Sequence, residues 1–564
     1  MSSLSKSQSA EKDTAGHDPI ASIHDEDSPG TSLAALEPVQ TGTSYKPPAM
    51  KTWHRRLVMF SLCLTLFLGA LDITIIATAL PTIAEQLHVT AQEYAWIGSG
   101  YTLATTASTP VWAKLSDIFG RKATIMTTTT IFMLGSLVCA LANSSTVLIA
   151  GRVVQGLGGG GSLVLVTIII GDLFSLADRA KYYGLTGIVF GIASAVGPVL
   201  GGVFTQAVNW RWCFYINLPF DGVALIVLFF ALKVETEKEP ILEGLRTLDW
   251  TGFALIIGGT ICFLYGLEAG SGGLAPWGSA KVICLIVFGL LILALFMVWE
   301  ARFAKNPVIP IRIFQKTTNI ASFAVSCLHS FIFISYDFFL PLYFQAVLGF
   351  RPIISGVTLF ALILPLSVMT LIGGLITRKT GNFVIIIIAG TVLMTLGNGL
   401  FISLGAETNW PKIIIFQLLA GSGAGVLFQS PMIALQSHLH HKDMAAAMSA
   451  YSFLRSLFTS VSIVIGTVLI QRSIGSGSLT AIHGEGVTDK KDYVKALHVM
   501  WGFYTATAGL MIVAACFIKQ TRTKKQPSEA VTDANPQLEA GRIDVIEPGI
   551  EATNEKTADG PKDK

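Results

Sequence analysis

Apolar runs broken by short polar turns fill the chain from residue 57 to residue 518. A helix needs about 20 apolar residues to cross the hydrocarbon core of a bilayer. Fourteen segments reach that length: 57–80, 94–112, 123–141, 147–171, 182–204, 212–232, 250–267, 280–299, 319–348, 353–376, 383–404, 413–435, 445–470 and 497–518. An even number of crossings puts both chain ends on one side. Outside them, residues 1–55 and 519–564 are polar and read as disordered tails. The first also lacks the apolar stretch that a cleaved signal peptide needs.

Charge placement decides which side the ends occupy. One set of loops carries Lys114, Arg121, Lys122, Arg179, Lys181, Arg246, Arg302, Arg312, Arg378 and Lys379, among others. The alternate loops carry only Arg211, Lys281, Arg351, Lys412 and a few after residue 470. By the positive-inside rule both ends are cytoplasmic. Composition agrees with a membrane chain: 52% of residues are hydrophobic and 13% charged, against about 25% charged in soluble domains. A net charge of +3 suggests no nucleic-acid partner.

The seven cysteines all fall in apolar stretches without CxxC or Cys/His spacing, so they read as small buried hydrophobes. His438, His440 and His441 lie in a cytoplasmic loop, which reads as a solvated loop in preference to a metal site. No Walker A sequence is present, which leaves a proton gradient as the energy source and no cofactor. The glycine run around Leu157 lies inside an apolar span and lacks the lysine of a phosphate loop. No convergent nucleophile, acid or metal cluster points to an enzyme.

Three runs carry the chemistry. Ala113-Lys-Leu-Ser-Asp-Ile-Phe-Gly-Arg-Lys122 is a tight turn: Gly120 permits the bend, and Arg121 and Lys122 hold it at an anionic leaflet. Asp117 is positioned to accept hydrogen bonds at a helix N-terminus. In Gly151-Arg-Val-Val-Gln-Gly-Leu-Gly, Arg152, Gln155 and Gly156 share one helix face. Arg152 either faces a partner within the membrane or snorkels to the interface. The fifth span carries Gly187, Gly191, Gly197, Pro198, Gly201 and Gly202, spacing that suits close helix packing.

The first run resembles the major facilitator signature Gly-x-Leu-x-Asp-x-x-Gly-Arg-Lys, with Ala113 at the first glycine, a change that implies looser packing there. The second matches the superfamily's Arg-x-x-Gln-Gly-x-Gly. The third resembles its antiporter signature, which separates exporters from importers. A degenerate echo of the first, Gly374 to Gly381, has Arg378 where Asp117 stands, so Arg378 is expected to matter less. Leu71-Asp-Ile-Thr-Ile-Ile-Ala-Thr-Ala-Leu-Pro81, Trp210-Arg-Trp-Cys-Phe-Tyr-Ile-Asn-Leu-Pro219 and Phe339-Leu-Pro-Leu-Tyr-Phe-Gln345 are similar to the fourteen-span drug:proton antiporter branch and its fungal toxin and multidrug pumps. The resemblance implies an all-α polytopic membrane protein of major facilitator fold. Six-helix halves at 56–232 and 319–518 would flank two additional helices within 233–318, between tails 1–55 and 519–564.

Asp72, Arg152, Asp337 and Arg455 are singled out as ionisable candidates for proton coupling within spans. Asp72 and Arg152 lie at compatible depths, about 12 Å and about 8 Å from the same surface. Asp72 then gives up its proton beside Arg152 and regains it when substrate displaces that contact. The other reading is a structural ion pair that never titrates. A neutral residue at position 72 is expected to fold at least as well as the acid. His329 reads as a satisfied core residue rather than a relay.

The functional reading is proton-coupled efflux of small amphipathic molecules such as toxins, drugs or secondary metabolites, by a monomer in the plasma membrane. The vacuolar membrane is the other location. Uptake of siderophore–iron chelates by the same fold, and a transport-dead membrane sensor, are the competing readings.

Overall fold

The computed structural model describes residues 51–232, 241–271, 275–440, 443–474 and 490–520. The expected tails therefore lie almost wholly outside the described residues. Eighteen α-helices follow one another in the described residues, with no strand among them. They are α1 (Thr52–Gln86), α2 (Ala91–Phe119), α3 (Arg121–Ala140), α4 (Ser145–Leu173), α5 (Leu176–Ala207), α6 (Trp212–Tyr215), α7 (Asn217–Ala231), α8 (Ile241–Thr247) and α9 (Trp250–Ser271). After them come α10 (Ala280–Arg302), α11 (Thr317–Leu342), α12 (Pro352–Thr358), α13 (Phe360–Thr380), α14 (Val384–Phe401), α15 (Trp410–Leu427), α16 (Ser430–Gln436), α17 (Met444–Ile474) and α18 (Lys490–Cys516).

Local signals set the helix ends. Thr90 and Glu93 form a capping box at the start of α2. Hydrogen bonds from Ser145 and Thr90 hold the Glu93 carboxyl below the usual glutamate range. Ser144 and Ser279 cap α4 and α10 with their hydroxyls, and Asn409 caps α15 with its side-chain carbonyl. Gly381 closes α13 in the left-handed region that glycine adopts freely.

Among the described residues, thirteen helical stretches are long and apolar enough to cross a membrane. Helix α2, which contains the expected segment 94–112, is not among them. Its 29 residues span about 44 Å at the α-helical rise, so length is not the reason. Its hydroxyls are. Thr102, Thr106 and Thr109 bond back to α2 carbonyls, while Thr105 and Ser108 reach Gly156 O and Leu157 O of α4 at 3.1 and 3.3 Å. A helix whose polar groups are satisfied by its neighbours need not be apolar all round.

Helix α4 packs between α2 and α3, and α1 packs against α5 and α7. In the second part of the chain, α15 joins α13 to α14, α18 covers α14, and α11 packs on α17 and α18. The two groups meet where α5 lies along α13 and α2 along α17. Helices α9 and α10 form a hairpin that touches α2 and α17 through α9. Much of α10 presents exposed side chains such as Phe288, Leu291 and Leu295, as a lipid-facing helix does. Buried Glu300 accepts from the Val308 and Ile309 amides at 3.0 and 3.3 Å and so folds the linker that follows.

Candidate functional site

The glycine run in α4 lets α2 and α3 approach its backbone. A Cβ at Gly156 or Gly160 would strike α2 backbone, and one at Gly158 would strike α3. Close packing buries the polar residues on the same helix. Arg152 is fully enclosed, its guanidinium paired with Asp72 of α1, the two side chains 1% and 0% exposed.

A hydrogen-bond network surrounds the pair. The Arg152 guanidinium donates to Gln155 Oε1 at 2.8 Å and to Ile97 O at 3.1 Å. Gln155 Nε2 donates to Asp72 Oδ1 at 2.7 Å and Ser136 Oγ at 2.8 Å. From α7, Asn217 Nδ2 donates to Ser136 Oγ at 3.1 Å and to Asp72 Oδ1 at 3.4 Å. The Tyr101 ring covers the guanidinium at 4.6 Å. The structure therefore brings together Asp72, Arg152 and Gln155, and adds Ser136, Asn217 and Tyr101, which sequence reading gave no role. Arg152 does not snorkel.

At the opposite end of these helices, Gly120 takes φ 85° and links α2 to α3. Arg121 donates to Asp172 of α4 at 2.8 Å, to Ser116 at 2.7 Å and to Asp117 at 2.6 Å. Asp117 thus engages a guanidinium one turn on, not the helix N-terminal amides expected for it. Lys122 donates to Phe229 O of α7 at 2.5 Å and lies over the Phe229 ring. Ala113 is buried in the core, so the packing is not loosened there.

The fifth-span glycines serve two neighbours. Gly187 and Gly191 face Thr370 and Ser367 of α13, whereas Gly197 and Gly201 face Thr74, Ile75 and Thr78 of α1. Pro198 O accepts from Thr78 Oγ1 at 3.3 Å. Gly202 faces open space. Near the Gly120 end, Arg378 of α13 pairs with Asp178 of α5 at 3.0 Å. Gln436 bonds Arg179 at 3.3 Å and Tyr183 at 2.9 Å. Arg378 thus joins the two helix groups, which its place in the degenerate echo did not suggest.

Asp337 and Arg455 lie on α11 and α17, apart from the Asp72 network, and no ion pair joins them among the described residues. Asp337 is half-buried. Arg455 donates to Ser330 at 2.7 Å and lies 5.1 Å from the Phe428 ring and 5.6 Å from Tyr451. Phe190 stacks obliquely on Phe428 at 5.3 Å, giving the cation an aromatic surround. His329 is buried, bonds Ala424 O at 3.0 Å and stacks on Phe333, as a core residue would. His438 is engaged locally by Ser437 and Ala434 O, and His441 lies outside the described residues. No group of metal-ligating side chains occurs among the described residues. The set of four in-span candidates omitted Asp221 on α7, a carboxylate only 1% exposed.

Comparison with known proteins places this geometry. The sequence profile of the Major Facilitator Superfamily matches residues 62–463. The chain is 44% identical over 502 residues to "Efflux pump dotC" of Dothistroma septosporum, covering 85% of this chain and 86% of that one. It is 41% identical to "MFS-type transporter ppz2" of Metarhizium majus, over 89% of this chain and 90% of the relative. "Efflux pump FUS6" of Gibberella fujikuroi is 36% identical over 72% of this chain and 74% of its own. The solved structure of the human organic anion transporter MFSD10 (TETRAN) matches in fold, with a TM-score of 0.57 and 16% identity over 84% of this chain and all of that one. The chain accordingly belongs to the major facilitator superfamily and is a multi-pass membrane transporter rather than an enzyme.

Proposed function

We propose that this protein exports small amphipathic organic molecules in exchange for protons. The observation that carries the reading is the Asp72–Arg152 pair, two opposite charges buried within the membrane-spanning helices and held by Gln155 and Asn217. Charges at that depth are costly to retain unless they act. Relatives named efflux pumps favour export over uptake. The Arg455 surround of Phe428, Tyr451 and Phe190 places aromatic rings beside a cation, a chemistry that suits an amphipathic substrate. Expressed in a host stripped of its own pumps, the protein should lower steady-state accumulation of its amphipathic substrates. Raised accumulation across a compound panel would support uptake instead.

The motif end, with Arg121, Lys122 and Arg378, is assigned to the cytoplasm of a plasma-membrane protein. In that orientation the Asp178–Arg378 pair and the Gln436 contacts bind the two helix groups together on the cytoplasmic side. Opening toward the cytoplasm then has to break them. Tags on the two termini of surface-expressed protein should be reached by antibody only after permeabilisation. Labelling of either tag on intact cells would reverse the orientation.

A further inference from the structure

Asp221 is enclosed, and neither carboxylate oxygen has a hydrogen-bond partner among the described residues. It stands one turn from Asn217 on the same face of α7, the residue that reaches Asp72. Asn217 Oδ1, Thr65 Oγ1 and Thr129 Oγ1 are likewise buried without partners. Thr65 precedes Asp72 by two turns on α1, and Thr129 precedes Ser136 by two turns on α3, so each shares a face with the network residue. Helix α7 packs against both α1 and α3. Buried oxygens without partners are rare in folded proteins. Here they form a seam that leaves Asp72 in the direction of Arg121.

Charge counting completes the observation. Arg152 is the cation of this cluster, and Asp72 already neutralises it. Tyr101 of α2 is a further titratable group facing Asp221, and Cys139 of α3 and Cys213 of α6 lie near Asp72; none of them is a cation. His54 and Lys122 engage α7 only at its far end, through Ala231 O and Phe229 O, about 12 Å or more from Asp221 along the helix. An ionised carboxylate with neither donors nor counter-ion is strongly disfavoured in such a setting. Asp221 therefore holds a proton while Asp72 is paired with Arg152.

We propose that Asp221 is a second proton-binding site of this transporter, an inner station that exchanges its proton with Asp72 while Asn217, one turn before Asp221 on α7, bonds Asp72. In the exchange, the O–H bond on Asp221 breaks and an O–H bond forms on a carboxylate oxygen of Asp72. Asp72 becomes neutral, Asp221 becomes the anion, and Arg152 is released from Asp72 toward it. One proton and one negative charge trade places, and no other reactant is needed. In the export cycle the exchange runs in reverse: Asp221 gives its proton up along the Thr65–Thr129 side of the seam, and Asp72, protonated from the outer side, then passes its proton to Asp221 and pairs with Arg152 again. The inference rests on the proton-coupled reading for its transport role, and on geometry alone for its bound proton.

Two measurements separate these parts. Infrared difference spectra of the purified full chain at neutral pH should show a carboxylic-acid C=O band that Asp221→Asn removes and Asp72→Asn retains. In proteoliposomes under an imposed pH gradient, Asp221→Asn should lose accumulation by about tenfold or more, and Asp221→Glu should keep part of it with its pH profile moved by about one unit. A spectrum unchanged by Asp221→Asn, or a variant with the wild-type pH profile, would overturn the proposal. Wild-type transport indifferent to the gradient would sink the coupled reading instead, and the infrared band would still decide whether Asp221 holds a proton.

Discussion

Asp72→Asn should abolish gradient-driven accumulation and also destabilise the protein, by about 3–5 kcal/mol, because it leaves the buried Arg152 guanidinium without its counter-ion. This departs from the expectation that a neutral residue folds at least as well. That expectation considered the cost of a lone carboxylate, whereas the structure shows a pair, and removing one member strands the other. The double variant Asp72→Asn, Arg152→Gln removes both charges and should recover most of the lost stability. If the pair only holds helices together, the double variant recovers transport as well. If Asp72 carries the proton, stability returns and uphill transport does not. Unfolding midpoints and accumulation measured on the wild type, Asp72→Asn, Arg152→Gln and the double variant separate the two roles.

The second large effect is expected at Arg121. Its guanidinium faces the Asp172 carboxylate, 8% exposed, and also ties Ser116 and Asp117 together. Arg121→Met should therefore cost about 3–5 kcal/mol, the range for breaking a buried pair. Asp117 is the more exposed partner at 37%, so Asp117→Asn should cost less than about 1 kcal/mol. Its effect on transport comes instead through the balance between packing arrangements of the helices. Thermal unfolding of the purified variants checks the order. Equal losses for the two would show that the network around Arg121 is not the stabilising element.

Hydropathy made the helical membrane architecture legible, because long apolar runs have few alternatives. Motif spacing made Asp72, Arg152 and Gln155 legible as a group, since two of them share a face of α4 and the third lies at matching depth in α1. The partners were hidden for a different reason. Ser136 and Asn217 lie 64 and 145 positions from Asp72 in the chain, and no local periodicity links residues that far apart. Asp221 left a usable signal, an acid inside the apolar segment 212–232 four positions after Asn217, but it sits beside the polar opening of that span. Asp178 gave no signal, because a loop acid at a helix start is ordinary until Arg378 is seen across from it. Helix α2 shows the limit of hydropathy: its hydroxyls lower the apolar character of a helix whose polar groups are satisfied by α4.

The coupled-export claim is tested most directly with wild-type protein in proteoliposomes carrying an imposed pH gradient and a transported fluorescent amphiphile. The account predicts that the amphiphile accumulates uphill on the acidic side, that each uptake event moves protons the other way, and that a protonophore abolishes both. Accumulation that is indifferent to the gradient, or that proceeds onto the alkaline side, would contradict it.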